Sequence, residues 1–145
     1  MIQFGPHDME GLQAPHNDAL VITATIAKFD VARIMVDTGS SVDVLFYEAY
    51  KKMNLDITLQ LVDTALFDFG RGVVDPMGQV ILLISLGTEP MRKTKMVKFL
   101  VVDSFSAYNI ILGRPSLNTF QAVVSTFHMK LKFPVDEGIG EVEGD

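Results

Sequence analysis

Hydrophobic and polar residues alternate in short runs along most of the chain, the period expected of β-strands. Runs rich in Val, Ile and Thr at residues 19–27 and 31–36 predict two strands joined by a turn at Lys28–Asp30. Longer runs at 79–86 and 91–102 predict another pair. Strands of this length, joined by short turns, indicate an all-β barrel or sandwich.

Two segments interrupt the alternation with a helical pattern. Residues Tyr47–Met53 predict a brief helix that ends at Asn54, and Gly113-Arg114-Pro115 opens a second one with proline in its first turn. Shorter strands are expected at 108–112, 122–125 and 128–133. The fold class is therefore all-β with one or two short helices.

The 145 residues fit one domain with a core of its own. Residues 1–18 lack sustained periodicity and predict a flexible N-terminal arm, in which Ile2 and Phe4 could dock as a short edge strand. Residues 19–133 form the predicted domain. Residues 134–145 predict a mobile, acidic C-terminal tail.

Charge and composition narrow the function classes. A net charge of −6 argues against nucleic-acid contact, because phosphate binding needs a basic face. The basic residues cluster at a predicted turn and strand face that we interpret as solvated: Arg92, Lys93, Lys95 and Lys98. No apolar run reaches the roughly 18 residues needed to span a membrane. We expect a soluble domain with no membrane contact.

No cofactor or metal is predicted. The chain has no cysteine, and its histidines, His7, His16 and His128, lack the paired spacing of metal ligands. The two glycines Gly70 and Gly72 lack the third glycine and following helix of a dinucleotide site.

The candidate chemistry lies at Asp37, where the apolar run Ile34–Val36 enters a turn that contains Thr38 and Gly39. A plain β-turn is the alternative, since Asp and Gly are common turn residues. Peptide hydrolysis by aspartates needs two carboxylates that share one proton. Only one Asp-Thr-Gly occurs, so a symmetric homodimer with Asp37 from each subunit is implied, and the monomer should be inactive.

Three segments occur in the order found in retropepsins: Val36–Ser41, the glycine-bearing Phe69–Gly72 between apolar arms, and Ile110–Pro115. The whole chain resembles the retropepsin-like aspartic protease domain of a plant gypsy-class LTR retrotransposon polyprotein. The resemblance extends over further segments: Pro15–Leu20, Val124–His128, Leu131–Pro134 and Gly140–Asp145. It implies a retropepsin-like closed barrel half with a flap hairpin.

The resemblance implies a role for each site residue. Asp37 would be catalytic, Thr38 would hydrogen-bond across the dimer axis, and Gly39 would let the substrate backbone approach. The Ser40 hydroxyl would stabilise the ionised carboxylates and lower their pKa. The implied flap and substrate-binding residues are Phe67, Phe69, Gly70, Arg71 and Gly72, and those implied beneath the active site are Gly113 and Arg114.

One position departs from the family pattern. Ser41 stands where retroviral enzymes have an aspartate that pairs with the arginine corresponding to Arg114. Either Asp43 replaces that partner or the ion pair is absent.

The resemblance implies an aspartic endopeptidase, active as a homodimer, whose polypeptide substrate is its own polyprotein. It also implies an intracellular location, in the cytoplasm or in virus-like particles. The alternative is a retropepsin-fold dimerisation or protein-interaction module without proteolytic activity. The intact Asp-Thr-Gly favours the enzyme, because a scaffold has no physical need for a carboxylate at Asp37.

Overall fold

Six strands close into a β-barrel, and a three-stranded sheet, a two-stranded hairpin and two short helices accompany it. The computed structural model describes residues 2–9, 19–55, 57–61, 67–68, 73–74 and 76–145. The predicted fold class, an all-β closed barrel with short helices, is confirmed.

The elements follow the chain in this order: β1 Leu20–Ile26, β2 Phe29–Val36, β3 Val44–Phe46, α1 Tyr47–Met53, β4 Phe67–Asp68, β5 Val73–Val74, β6 Gly78–Leu86, β7 Lys93–Val102, β8 Ile110–Leu112, α2 Arg114–Phe120, β9 Val123–Ser125, β10 Lys130–Val135 and β11 Gly138–Glu143. A 3-10 helix at Pro6–Met9 precedes them.

The barrel has the strand order β1-β2-β8-β3-β7-β6. Most neighbours run antiparallel, but β2 pairs with β8 in parallel and β3 pairs with β7 in parallel. The first parallel pair aligns Val36 with Leu112, so β2 and β8 end side by side. The two loops that follow these strands therefore meet at one end of the barrel.

Alternation along the strands builds the core. Leu20, Ile22, Ala24 and Ile26 of β1 point inward and are buried, as the sequence pattern predicts. Three phenylalanines, Phe99, Phe120 and Phe133, are fully buried and contribute large apolar areas from a strand, a helix and the second sheet. The core thus joins the barrel to α2 and to β10.

The β1–β2 turn begins one residue earlier than predicted, and β2 begins two residues earlier. Ala27 and Lys28, with φ of 49° and 76°, form the turn, and β2 begins at Phe29 instead of after Asp30. Two residues with positive φ match the twist of a tight hairpin. Neither residue is the Gly or Asn typical of such a turn. Both strands were therefore predicted, but the turn between them was misplaced.

The hairpin predicted over residues 66–74 is present as β4 and β5, which pair Phe67 with Val74 and Asp68 with Val73. Its tip, Phe69–Gly72, lies outside the described residues. Residues 57–61 form no named strand; Gln60 pairs with Gln79 of β6 in a single bridge.

The mobile tail predicted from Pro134 is wrong. β10 continues to Val135, and β11 pairs with it along its length from Lys130–Glu143 to Val135–Gly138. Gly140 lies so close to Phe133 that a Cβ there would stand 2.5 Å from the ring. The Asp145 N–H donates to the Val21 carbonyl at 2.8 Å, which ties the end of the chain to β1.

The N-terminal arm is docked, not loose, over residues 2–9, and it forms a 3-10 helix instead of the suggested edge strand. Asp8 is fully buried and accepts hydrogen bonds from Lys130 Nζ at 3.0 Å and Lys132 Nζ at 3.1 Å. The ring of Phe4 stacks on His128 with centroids 5.3 Å apart. The hydrogen bonds from Lys130 and Lys132 of β10 to Asp8 therefore hold the arm against the second sheet.

Burial alone would raise the pKa of Asp8, but hydrogen bonds from the Gly5 amide, Lys130 and Lys132 outweigh it and hold the pKa well below its usual range. The carboxylate therefore stays ionised under mildly acidic conditions. Because its folded pKa is depressed, its contribution to stability is complete above the ordinary value of 3.8 and falls only as the pH drops below it.

We expect Asp8→Asn to destabilise the fold by roughly 3 kcal/mol, because two largely buried ammonium groups lose their nearest carboxylate. Lys130 keeps only the longer contacts to Glu141 at 3.7 Å and Glu143 at 3.8 Å. Urea unfolding at neutral pH measures the change. Asp103→Asn, at an exposed carboxylate, is the matched control and should leave the midpoint unchanged. Equal midpoints for the two variants would show that the arm contributes nothing to stability.

Candidate active site

The turn that carries Asp37 is anchored by the strand that pairs with β2. The Asp37 N–H donates to the carbonyl of Leu112 at 2.9 Å, which extends the parallel β2–β8 pairing by one residue. The position of the Asp37 backbone is thus set by the barrel and not by the turn alone.

Within the turn, the Asp37 side chain is oriented by the backbone that follows it. Its Oδ1 accepts the Gly39 N–H at 2.9 Å, and its main-chain carbonyl accepts the Ser40 N–H at 3.2 Å. Oδ2 has no hydrogen-bond partner among the described residues. One carboxylate oxygen is therefore held in place while the other is available to water or to another carboxyl.

Gly39 also keeps space open beside the carboxylate. A Cβ at this position would stand 3.3 Å from Asp37 Oδ1, closer than side chains ordinarily pack. Thr38 and Gly39 are exposed, so the surface of the turn faces outward in the single chain. The structure holds one copy of the chain, and the predicted contact of Thr38 across a dimer axis stays a prediction.

Gly113 lies directly against the loop that continues from Asp37. A Cβ on Gly113 would stand 2.3 Å from the Val42 carbonyl oxygen and 2.9 Å from that of Ser40. The Arg114 N–H donates to the Ser40 carbonyl at 2.9 Å. The junction of β8 and α2 therefore supports the loop through its backbone, and only glycine fits at its centre.

Asp43 supports the same junction in a way that the sequence did not reveal. It is buried, and its Oδ1 accepts the Gly113 N–H at 2.7 Å. Burial raises the pKa of the Asp43 carboxyl, and the hydrogen bond from the Gly113 amide opposes that rise. Arg114 is exposed and makes no ion pair with Asp43 within the described part of the chain. Asp43 therefore does not replace the missing aspartate as the partner of Arg114 in the single chain.

The implied role of Ser40 requires its hydroxyl to lie beside the Asp37 carboxylate, but in the single chain the hydroxyl is bonded within its own loop. Its hydroxyl donates to the Val42 carbonyl at 2.7 Å and accepts the Val42 N–H at 3.4 Å. In the single chain it therefore braces its own loop and does not contact the Asp37 carboxylate. The support that Ser40 gives to the site comes through its backbone, which bonds to Asp37 and to Arg114.

Of the implied flap residues, Phe67 lies in β4, whereas Phe69, Gly70, Arg71 and Gly72 lie outside the described residues. Their roles stay predictions. The basic residues Arg92, Lys95 and Lys98 are exposed, as the solvated-face interpretation expects, and Lys93 Nζ donates to the Phe120 carbonyl at 3.1 Å.

Within the described residues, no group of three or more His, Cys, Asp or Glu side chains could hold a metal ion. No helix in that part of the chain is long and apolar enough to cross a membrane.

Neither protein-family models nor curated proteins match the sequence. Solved structures do match the fold. The retroviral protease-like domain of Ddi1 from Leishmania major superposes with a TM-score of 0.62 at 18% identity, covering 88% of this chain and 94% of that one. A retropepsin-like aspartic protease from Rickettsia conorii gives a TM-score of 0.55 at 20% identity, covering 88% and 92%.

The EIAV protease, in complex with the inhibitor HBY-793, gives a TM-score of 0.56 at 18% identity, covering 75% of this chain and 94% of that chain. At these identities the comparison defines the fold. The chain has the retropepsin fold, and the turn containing Asp37 lies where two barrel strands end together.

Proposed function

We propose that this chain is an aspartic endopeptidase in which Asp37 from two copies forms the catalytic pair. The observation that carries the proposal is the state of Asp37: its backbone is fixed to β8, one side-chain oxygen is held by Gly39, and the other is open. One carboxylate cannot both activate water and polarise the scissile carbonyl. A second copy would supply the other.

In the proposed mechanism, the two carboxylates share one proton because close like charges resist double ionisation. The ionised member accepts a proton from the attacking water, and the protonated member donates a hydrogen bond to the carbonyl oxygen of the substrate. The proton then passes to the leaving amine nitrogen as the carbon–nitrogen bond breaks. Gly39, with no side chain, leaves the substrate backbone access to the pair.

The support for a protease is the combination of the retropepsin fold with the Asp-Thr-Gly turn. The support for a retrotransposon polyprotein as substrate is narrower: it is the resemblance of segments such as Ile110–Pro115 and Val124–His128 to that family. We therefore propose the chain's own polyprotein as the natural substrate and a homodimer as the active form.

The test is cleavage of fluorescence-quenched, unstructured peptides by the purified chain at mildly acidic pH, with and without a pepstatin-type transition-state mimic. We expect cleavage that the mimic blocks and that metal chelators leave unchanged. A stable dimer that cleaves none of the peptides would contradict the proposal and favour the interaction module.

A further inference from the structure

One edge of strand β7 is paired with a neighbouring strand over only part of its length. Its residues from Lys93 to Val101 pair with β6 without a register shift, whereas on the other side β3 reaches only Leu100–Val102. The Leu100 N–H donates to the Asp43 carbonyl at 2.9 Å, which shows that Leu100 points its backbone groups away from β6.

Backbone groups alternate along a strand with a period of two residues. Lys98 and Met96 therefore turn their amides and carbonyls to the same side as Leu100, beyond the point where β3 begins. Among the described residues, no strand or loop hydrogen-bonds to these groups. The edge of β7 is open at two successive positions, which are ready to pair with an added strand.

A cavity of about 480 Å³ lies along this open edge. The loop Ser41–Asp43, which continues directly from the Asp37 turn, lines it together with Pro115 and Thr119 of α2. Met96–Lys98 of β7 and Gln79 of β6 also line it. We call this cavity the β7-edge groove. An exposed strand edge of this kind can pair with an extended chain as an added strand.

The charge of the groove restricts what it accepts. Lys98 and Asp43 are its charged side chains. Asp43 is buried and its Oδ1 is engaged by the Gly113 amide, whereas Lys98 is exposed and makes no ion pair within the described residues. The ammonium group of Lys98 is therefore the charge that an incoming chain meets first, and it favours an acidic side chain.

We propose that the β7-edge groove binds an extended segment of the polypeptide substrate as an added strand on β7, with an acidic side chain of that segment placed at Lys98. The substrate is the occupant because the groove shares Ser41–Asp43 with the loop that leads from Asp37. The identification of the bound segment as substrate rests on the proposed function.

The binding test uses the full chain carrying Asp37→Asn, so that no peptide is consumed. The probes are a fluorescein-labelled heptapeptide of alternating threonine and valine with a central glutamate, and the same peptide with a central lysine. We expect the glutamate peptide to bind about fivefold more tightly, and Lys98→Glu to reverse the order. Lys95→Glu, the same change of charge on the same strand outside the groove, should preserve the order.

Steric block tests the groove itself. Thr119→Trp places a large side chain in the groove and should weaken binding at least about tenfold, because the strand edge is then covered. Asn118→Trp, on the exposed neighbouring residue of α2, is the control and should bind as the parent does. Amide resonances of Met96 and Lys98 should shift on binding and exchange more slowly with solvent.

Absence of binding, equal affinities for the two tryptophan variants, or shifts confined to Asp37–Ser40 would overturn the inference. The two proposals fail separately. If the wild-type chain cleaves no peptide but the shifts fall on Met96 and Lys98, the catalytic proposal fails and the groove stands as a peptide site. If the chain cleaves peptides and Thr119→Trp leaves KM unchanged, the catalytic proposal stands and the groove fails.

Discussion

Replacing Asp37 with asparagine should lower peptide cleavage by at least about a thousandfold, because an amide cannot accept the proton of the attacking water. The substitution is close to isosteric. The asparagine Oδ1 can still accept the Gly39 N–H, which now lies 2.9 Å from the aspartate oxygen. The expected loss is therefore chemical and not structural. Initial rates on a quenched peptide at mildly acidic pH measure it.

Two controls separate chemistry from folding. Asp103→Asn removes an exposed carboxylate distant in sequence from the turn and should cleave at the wild-type rate. The Asp37→Asn protein should unfold at the same urea concentration as the wild type. Cleavage that survives in Asp37→Asn would remove Asp37 from the mechanism.

Cleavage should also depend on association of the chain with itself. If two copies each supply one Asp37, specific activity should rise with protein concentration and level off once the dimer is saturated. Rates measured across a dilution series, alongside the oligomeric state from size-exclusion chromatography with light scattering, test this. A specific activity that does not change as the dimer dissociates would contradict a shared site.

Mixing wild-type chains with Asp37→Asn chains tests the shared active site more directly. With a ninefold excess of Asp37→Asn chains and random pairing, only about a tenth of the wild-type chains find a wild-type partner. Activity per wild-type chain should therefore fall about tenfold on mixing. The same excess of Asp103→Asn chains, which carry an intact turn, should not reduce it.

Local signals in the sequence predicted much of the fold. The helix Tyr47–Met53 has the predicted bounds, and it ends at Asn54, whose left-handed φ of 47° suits that residue. The strands β6 and β7 agree with the alternation to within two residues at either end. In each case the residues that decide the element lie within it.

Elements decided by distant partners were missed. β11 carries glutamates and glycines that weaken its strand pattern, and it forms because β10 lies beside it. The arm docks because Asp8 meets two lysines on β10, more than a hundred residues away in the chain. No local pattern encodes such a contact.

For the candidate site, too, residues in short motifs were predicted, and a residue whose role depends on a distant partner was missed. The Asp-Thr-Gly turn and Gly113 were found from short motifs, and the structure brings both to the end of the β2–β8 pair. The role of Asp43 was not found, because a carboxylate bonded to a backbone amide leaves no partner in the sequence. The sequence shows only that Asp43 comes just before an apolar strand. Many exposed acidic residues occupy such positions, so the pattern does not identify a buried carboxylate.

The most direct test of the account is the separation of the two Asp37 carboxylates in a crystal of the chain with a pepstatin-type peptide. We expect a twofold axis beside the turn and carboxyl oxygens within hydrogen-bond reach of each other, about 2.6 to 3.2 Å. A twofold that leaves these oxygens far apart, or a chain that binds the peptide as a monomer, would contradict the account.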